Sequence, residues 1–139
     1  MHTVTKQFRA EIAHRLPGHL GACQYLHGHS YLFEVSVSGG PLNRMGMVVD
    51  FKDLKEAMEK VIGPWDHSTV LHDKDSLVPV LAGHEGVRLL TVPFIPTAEN
   101  MAKYIAEEVN LWLPDEVCVT CVQVWETSTS YADWRPTCF

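Results

Sequence analysis

The sequence predicts an α+β protein with elements in the order β-β-α-α-β-β, an antiparallel four-stranded sheet covered on one face by two helices. Two runs near the start alternate apolar and polar residues. Two stretches in the middle and later part repeat apolar residues at helical spacing, and a valine-rich run follows them. Period two marks half-buried strands and period 3.6 marks amphipathic helices. A chain of 139 residues fits one domain spanning 1–139, long enough to bury one core.

The first strand covers roughly residues 3–13, with Val4, Phe8, Ala10 and Ile12 on one face. A loop at 15–26 follows, and loops of this length are often functional. The second strand, 29–38, carries Tyr31, Phe33, Val35 and Val37 and ends at Gly39-Gly40-Pro41. Asp50 suits the N-cap of the first helix, with Asp53 in its first turn. Phe51, Leu54, Met58, Val61 and Ile62 form its apolar stripe, and Gly63-Pro64 stops it. Residues 65–95 hold Asp66-His67, acidic residues Asp73 and Asp75, and a short candidate strand at 87–92. Thr97 is the expected N-cap of the second helix, whose stripe is Met101, Ile105, Val109 and Trp112, with Pro114 beyond it. The last long strand, 117–126, has valines that switch parity midway, so it is either covered on both faces or bulged. A short strand at 131–135 completes the order.

Composition narrows the function classes. Hydrophobic residues make up 46% and charged residues 20%, as in ordinary globular proteins. The net charge, 11 − 17 = −6, argues against a nucleic-acid-binding surface. No apolar stretch approaches the ~20 residues that span a bilayer. The opening Met-His-Thr-Val-Thr-Lys has no apolar h-region, so a cytoplasmic protein without a secretory signal is expected. Its cysteines, Cys23, Cys118, Cys121 and Cys138, are then expected to be reduced. Cys118 and Cys121 form a C-x-x-C, but residues three apart on a regular strand face opposite sides, so packing roles are expected for both.

Three histidines carry the chemistry. His27 and His29 precede the second apolar run and point to one face. His14 closes the first. If the runs pair as an antiparallel hairpin, the end of the first lies beside the start of the second, and both apolar faces look at one core. His14, His27 and His29 then converge at one end of the sheet. Three neutral imidazoles without a fourth protein ligand are the pattern of a catalytic zinc site with an open position. Cys23 lies four residues before His27. It is either a thiol activated beside the metal or a fourth, structural ligand. Asp66-His67 has the composition of an acid–base pair. Adjacent residues rarely bond each other that way, and two polar loop residues is the simpler account. Glu126, at the end of the last strand, can accept paired N–H donors from a guanine-like ring or be a solvated terminus.

Taken together and in order, F-x-A-x-x-A-H (Phe8 to His14), C-x-x-x-H-G-H-S-Y (Cys23 to Tyr31), G-M-V-V-D-F (Gly46 to Phe51), D-H (Asp66, His67), P-T-A-E-N (Pro96 to Asn100) and E-T (Glu126, Thr127) resemble the 6-pyruvoyl-tetrahydropterin synthase / 6-carboxy-7,8-tetrahydropterin synthase family. The resemblance covers most of the chain. It implies a tunnelling fold, in which subunits associate through their sheets into a barrel, as trimers stacked into a hexamer, with active sites at subunit interfaces. It implies Zn2+ held by His14, His27 and His29, a catalytic thiol at Cys23, a proton-relaying pair at Asp66 and His67, and a pterin-anchoring carboxylate at Glu126. Thr97 and Glu99 fall in a motif that lines the pterin pocket.

Within the family, three residues between the thiol and H-G-H resemble the bacterial carboxy-type enzymes; animal pyruvoyl enzymes carry a longer gap, and folate-branch relatives place Glu where Cys23 stands. The implied activity is a zinc-dependent lyase converting 7,8-dihydroneopterin triphosphate to 6-carboxy-5,6,7,8-tetrahydropterin, acetaldehyde and triphosphate, an early step of queuosine and other 7-deazapurine pathways. The alternatives are the pyruvoyl synthase and, from another class, a non-catalytic zinc-stabilised binding domain. The usual Leu-Asn after D-H is replaced by Ser68-Thr69-Val70-Leu71-His72 in a segment longer than in compact members, so a reshaped pocket mouth is expected there.

Overall fold

The computed structural model describes residues 1–137. Cys138, expected to be reduced, lies outside them; Cys23, Cys118 and Cys121 are free thiols. Strands β1 (Thr3–His14) and β2 (His27–Gly39) are followed by α1 (Phe51–Ile62), β3 (Ser68–His72), a short α2 (Val78–Leu81), β4 (Leu89–Val92), α3 (Ala98–Asn110), β5 (Val117–Thr127) and β6 (Ser130–Trp134). The sheet has six strands in the order β4-β3-β1-β2-β5-β6, not the four expected. The expected antiparallel four are its β1-β2-β5-β6 part. The other two come from the 65–95 segment, where β3 runs parallel to β1 and β4 parallel to β3. That segment therefore widens the sheet at the end of β1.

α1 and α3 cover one face, and the core lies beneath them. Phe33, Val35, Val37, Leu54, Met58, Met101, Ile105 and Val124 are fully buried there. Both caps form as expected: Asp50 accepts from the Lys52 N–H at 2.8 Å and Thr97 from the Asn100 N–H at 3.1 Å. Two stripe residues are misplaced. Phe51 is 53% exposed and Trp112 55% exposed. Phe51 sits at the first helical position, before the helix turns toward the sheet. Trp112 lies beyond the end of α3, where its ring takes Lys60 Nζ at 4.4 Å from the centroid.

The valine parity switch in β5 is a bulge. Ser36 pairs with Cys121 and Val37 with Val119, so Thr120 is the extra residue. Val117, Val119, Val122 and Val124 all reach the core as a result. The bulge also overturns the expectation for the C-x-x-C. Cys118 and Cys121 pair with Ser38 and Ser36, which share a face, so both thiols look to the face without helices.

Ile105→Ala is expected to lower the unfolding free energy by about 2–5 kcal/mol, because it opens a cavity in a filled core. Trp112→Ala should cost about 1 kcal/mol or less, chiefly its contact with Lys60. Urea denaturation measures both, and equal losses would contradict this division of the helix.

Candidate metal centre and adjoining clefts

The register of β1 on β2 places His14 opposite His27 and Ile12 opposite His29. The three imidazoles therefore gather on the core side, at the end of the sheet that the helices leave open. One ring nitrogen from each lies within 4.8 Å of the others. Ring centroids are 4.7 to 5.1 Å apart and the planes are steeply inclined.

Local structure fixes which nitrogens face inward. His14 Nδ1 donates to the Pro96 carbonyl at 2.8 Å and His27 Nδ1 to the Tyr25 carbonyl at 2.7 Å. Both rings thereby keep a free lone pair at Nε2, the tautomer a metal requires. Burial, helped by repulsion from His27 and His29, lowers the His14 pKa to about 4 against the opposing pull of the Pro96 bond. Burial also lowers that of His29, although Glu126 opposes it. Both are neutral at pH 7. Inclined rings, fixed tautomers and suppressed protonation together fit a divalent cation held by three histidines.

Glu126 stands over the cluster, with its carboxylate oxygens 3.9 Å from His14 Nε2 and His29 Nε2. Tyr31, two residues beyond His29 on the same face, is buried, with its hydroxyl 3.2 Å from the His14 ring nitrogens. Burial first, then the charge of Glu126, drives the Tyr31 pKa upward, so the hydroxyl stays protonated. The half-buried Cys23 lies close enough to add to that shift. It sits in a single 3-10 turn, Ala22–Gln24, and is not one of the 4.8 Å group.

Thr97, Glu99 and Glu126 line one cleft of about 260 Å³, together with Tyr131. The Pro96–Asn100 motif thus does several jobs at once. Its proline carbonyl orients His14, its threonine starts α3, and its Asn100 side chain donates to Ile95 O at 2.9 Å to hold the approach to the helix.

Asp66 and His67 sit elsewhere. His67 lines a cleft of about 400 Å³ with Glu11, Ser30 and Arg88. Glu11 and Ser30 have the opposite parity to the histidines and so lie on the face without helices. The expectation that these neighbours would not bond each other fails, since His67 Nδ1 lies 3.0 Å from Asp66 Oδ1. His67 has φ 58°, and this left-handed backbone turns the ring back over the preceding carboxylate. Non-glycine residues stay in that region only where their surroundings impose it. Here β1 does so: the Glu11 N–H donates to Asp66 Oδ1 at 2.8 Å and the His67 N–H to Glu11 O at 2.7 Å. The Glu11 bond, and after it the His67 ring, hold Asp66 below the usual carboxylate range.

Sequence reasoning missed two features. Tyr31 had a signal, its shared parity with His29, but was read only as core. Arg15 and Asp75 form an ion pair 60 positions apart. Nothing in the sequence set Asp75 apart from its neighbour Asp73.

Comparison with known proteins accords with this geometry. The family profile described as 6-pyruvoyl tetrahydropterin synthase matches residues 3–137. The chain is 34% identical to the 6-carboxy-5,6,7,8-tetrahydropterin synthase of Haemophilus influenzae, over 97% of this chain and 99% of that one. It is 35% identical to the enzyme of the same name from Bacillus subtilis, over 96% and 84%. Among solved structures, an uncharacterized protein of Wolinella succinogenes superposes with a TM-score of 0.85 at 24% identity, covering 98% of each chain. The 6-pyruvoyl tetrahydropterin synthase of Caenorhabditis elegans does so at 0.73 and 23%, covering 98% and 96%. The chain belongs to the 6-pyruvoyl tetrahydropterin synthase family, and its fold is the tunnelling fold. Among the described residues no helix is long and apolar enough to cross a membrane.

Purified protein is expected to hold about one divalent metal ion per chain, and His27→Ala to lose it. Glu126→Gln should keep the metal. Elemental analysis decides: retention by His27→Ala would refute the three-histidine site, and loss from Glu126→Gln would make the carboxylate a fourth ligand.

Proposed function

We propose that the protein is a zinc-dependent lyase that converts 7,8-dihydroneopterin triphosphate to 6-carboxy-5,6,7,8-tetrahydropterin, acetaldehyde and triphosphate. The observation that carries this is the convergence of His14, His27, His29, Glu126 and Cys23 at one end of the sheet. Curated relatives named 6-carboxy-5,6,7,8-tetrahydropterin synthase, at 29–35% identity over most of the chain, favour the carboxy-type reaction over the pyruvoyl type. A place in a queuosine-type pathway follows from that reaction.

His14, His27 and His29 hold the zinc, which when bound supplies Lewis acidity toward the substrate's side-chain hydroxyls. Glu126 accepts the paired N–H donors of the pterin's amino-pyrimidine edge, and Thr97 and Glu99 line the same cleft. The Tyr31 hydroxyl, kept protonated by burial, orients the Glu126 carboxylate from below. Cys23 takes a proton from the substrate side chain. The thiol's position outside the group of metal-ligating atoms supports a base over a fourth ligand.

Asp66 and His67 return protons to the substrate, and the pair serves the site of a neighbouring subunit. Its cleft opens on the face without helices; it takes in part of His29 but neither Cys23, His14 nor His27 of its own chain. That open face and the short edge strands β4 and β6 suit association sheet to sheet, which would hide the edges. A trimer, or a hexamer of stacked trimers, is the assembly proposed. Arg88 beside His67 supplies positive charge near the triphosphate in an otherwise acidic chain.

Incubation with 7,8-dihydroneopterin triphosphate, followed by mass analysis, is expected to give 6-carboxytetrahydropterin and acetaldehyde. Cys23→Ala should retain zinc and give neither. A pyruvoyl product from the wild type would reassign the reaction, and turnover by Cys23→Ala would remove the thiol from it.

A further inference from the structure

We propose that Arg15 and Asp75 form a clamp that positions the Cys23 thiol, and the proposal rests on Cys23 being the acting base. Asp75 lies in the turn after β3, and its side chain is fully buried. Arg15 Nε donates to both carboxylate oxygens, at 3.0 and 2.8 Å, and Nη2 donates to Oδ1 at 2.5 Å. The Leu77 N–H adds a further bond to Oδ1 at 2.9 Å. A guanidinium fork fixes direction as well as distance, which a lysine ammonium does not.

The fork's free edge faces the thiol's loop. Arg15 Nη1 donates to the Gln24 carbonyl at 3.4 Å, and the next residue's N–H, Leu16, donates to the Cys23 carbonyl at 2.8 Å. Two consecutive carbonyls, that of Cys23 and the one after it, are thus held by two consecutive residues that directly follow His14. The other backbone–backbone bonds of the loop, such as Tyr25 N–H to Ala22 O at 3.0 Å and Gln24 N–H to Gly21 O at 3.3 Å, stay within the loop itself, and its far end is held by the His27 ring on the Tyr25 carbonyl. Asp75 is tied to the sheet through its neighbours: the Asp73 N–H donates to Val92 O and the Asp75 N–H to His72 O, both at 2.9 Å. The chain of contacts runs from the edge strands through Asp75 and Arg15 to the thiol. The 65–95 segment thereby gains a role at the thiol although it does not line the Glu126 cleft. Arg15 and Asp75 are positioning residues, since neither reaches the cleft that takes substrate.

The test is thiol alkylation by iodoacetamide, read residue by residue by peptide mass analysis, in zinc-loaded wild type, Asp75→Asn, Arg15→Lys and the double variant. Cys118, exposed, and Cys121, buried, are internal controls. The clamp predicts that Cys23 alkylation rises several-fold in each variant while both controls and the zinc content hold. It predicts that kcat falls by about ten- to a hundred-fold, as slight misplacement of a reacting group does, while KM changes little. The double variant should be no slower than the slower single one, because the two residues act as a unit. Unchanged Cys23 alkylation in both single variants would overturn the proposal, as would a parallel rise at Cys121, the mark of general loosening. Alkylation needs no turnover, so the two ideas fail separately. Full activity of Cys23→Ala removes the base on which the proposal rests. An inactive Cys23→Ala with unaltered alkylation in the clamp variants removes the clamp alone.

Discussion

Everything at the site depends on the register of one strand pair. β1 and β2 run antiparallel over their whole lengths, and His14 meets His27 at the end of the ladder. Side chains alternate strictly along a strand, so a slip of one residue would send one strand's histidines to the opposite face. The buried faces of both strands forbid that slip. Either Ala10 and Ile12 of β1 or Tyr31, Phe33, Val35 and Val37 of β2 would have to leave the core. The hydrophobic pattern that folds the sheet is thus the same pattern that assembles the histidine cluster.

The second constraint is where the helices stop. α3 begins beside the cluster, and the carbonyl of Pro96 leading into it fixes the His14 tautomer. A buried imidazole in such a place is held neutral, and its lone pair is directed into the opening rather than toward solvent. Glu126 and Tyr31 face the same opening from β5 and β2. The opposite face of the sheet carries no helix. It presents polar residues such as Thr3, Thr5, Ser36 and Ser38, paired across strands by hydroxyl hydrogen bonds of 2.7 Å. A sheet with one packed and one polar face is ordinary for antiparallel strands. Here the polar face also bears the Asp66–His67 pair.

Much of this was legible in the sequence because it rests on periodicity. The two long alternating strands and the meeting of three histidines follow from spacing, and both helix caps from residue type at the helix starts; the valine parity switch left β5 either covered on both faces or bulged, and it is bulged. What escaped was what periodicity does not encode. The candidate strand at 87–92 is β4, but β3, five residues long, showed no pattern, and the parallel pairings of β3 on β1 and β4 on β3 left no trace in spacing. Trp112 fitted the helical stripe but fell beyond the helix end. The C-x-x-C was judged on a regular strand, and the single extra residue Thr120 brought both thiols to one face. His67 bonds Asp66 only because its backbone takes a left-handed turn that no side chain announces. The Arg15–Asp75 pair is a contact between two loops, set by the parallel strands the sequence concealed.

The fold therefore divides the proposed machinery between two faces of one sheet. The thiol and histidines lie at one, and the acid–base pair at the other. On the proposed reading, such a chain completes its chemistry against a second copy. The most direct measurement mixes two inactive variants, Cys23→Ala and His67→Ala, refolds them together and assays the hybrids. Each hybrid interface that joins an intact Cys23 to an intact His67 from its neighbour restores a site, so activity should return in roughly a quarter of sites on random assembly. Mixed oligomers that form, as shown by mass measurement, yet stay as inactive as their parents would contradict the shared site and place all of the catalytic groups within one subunit.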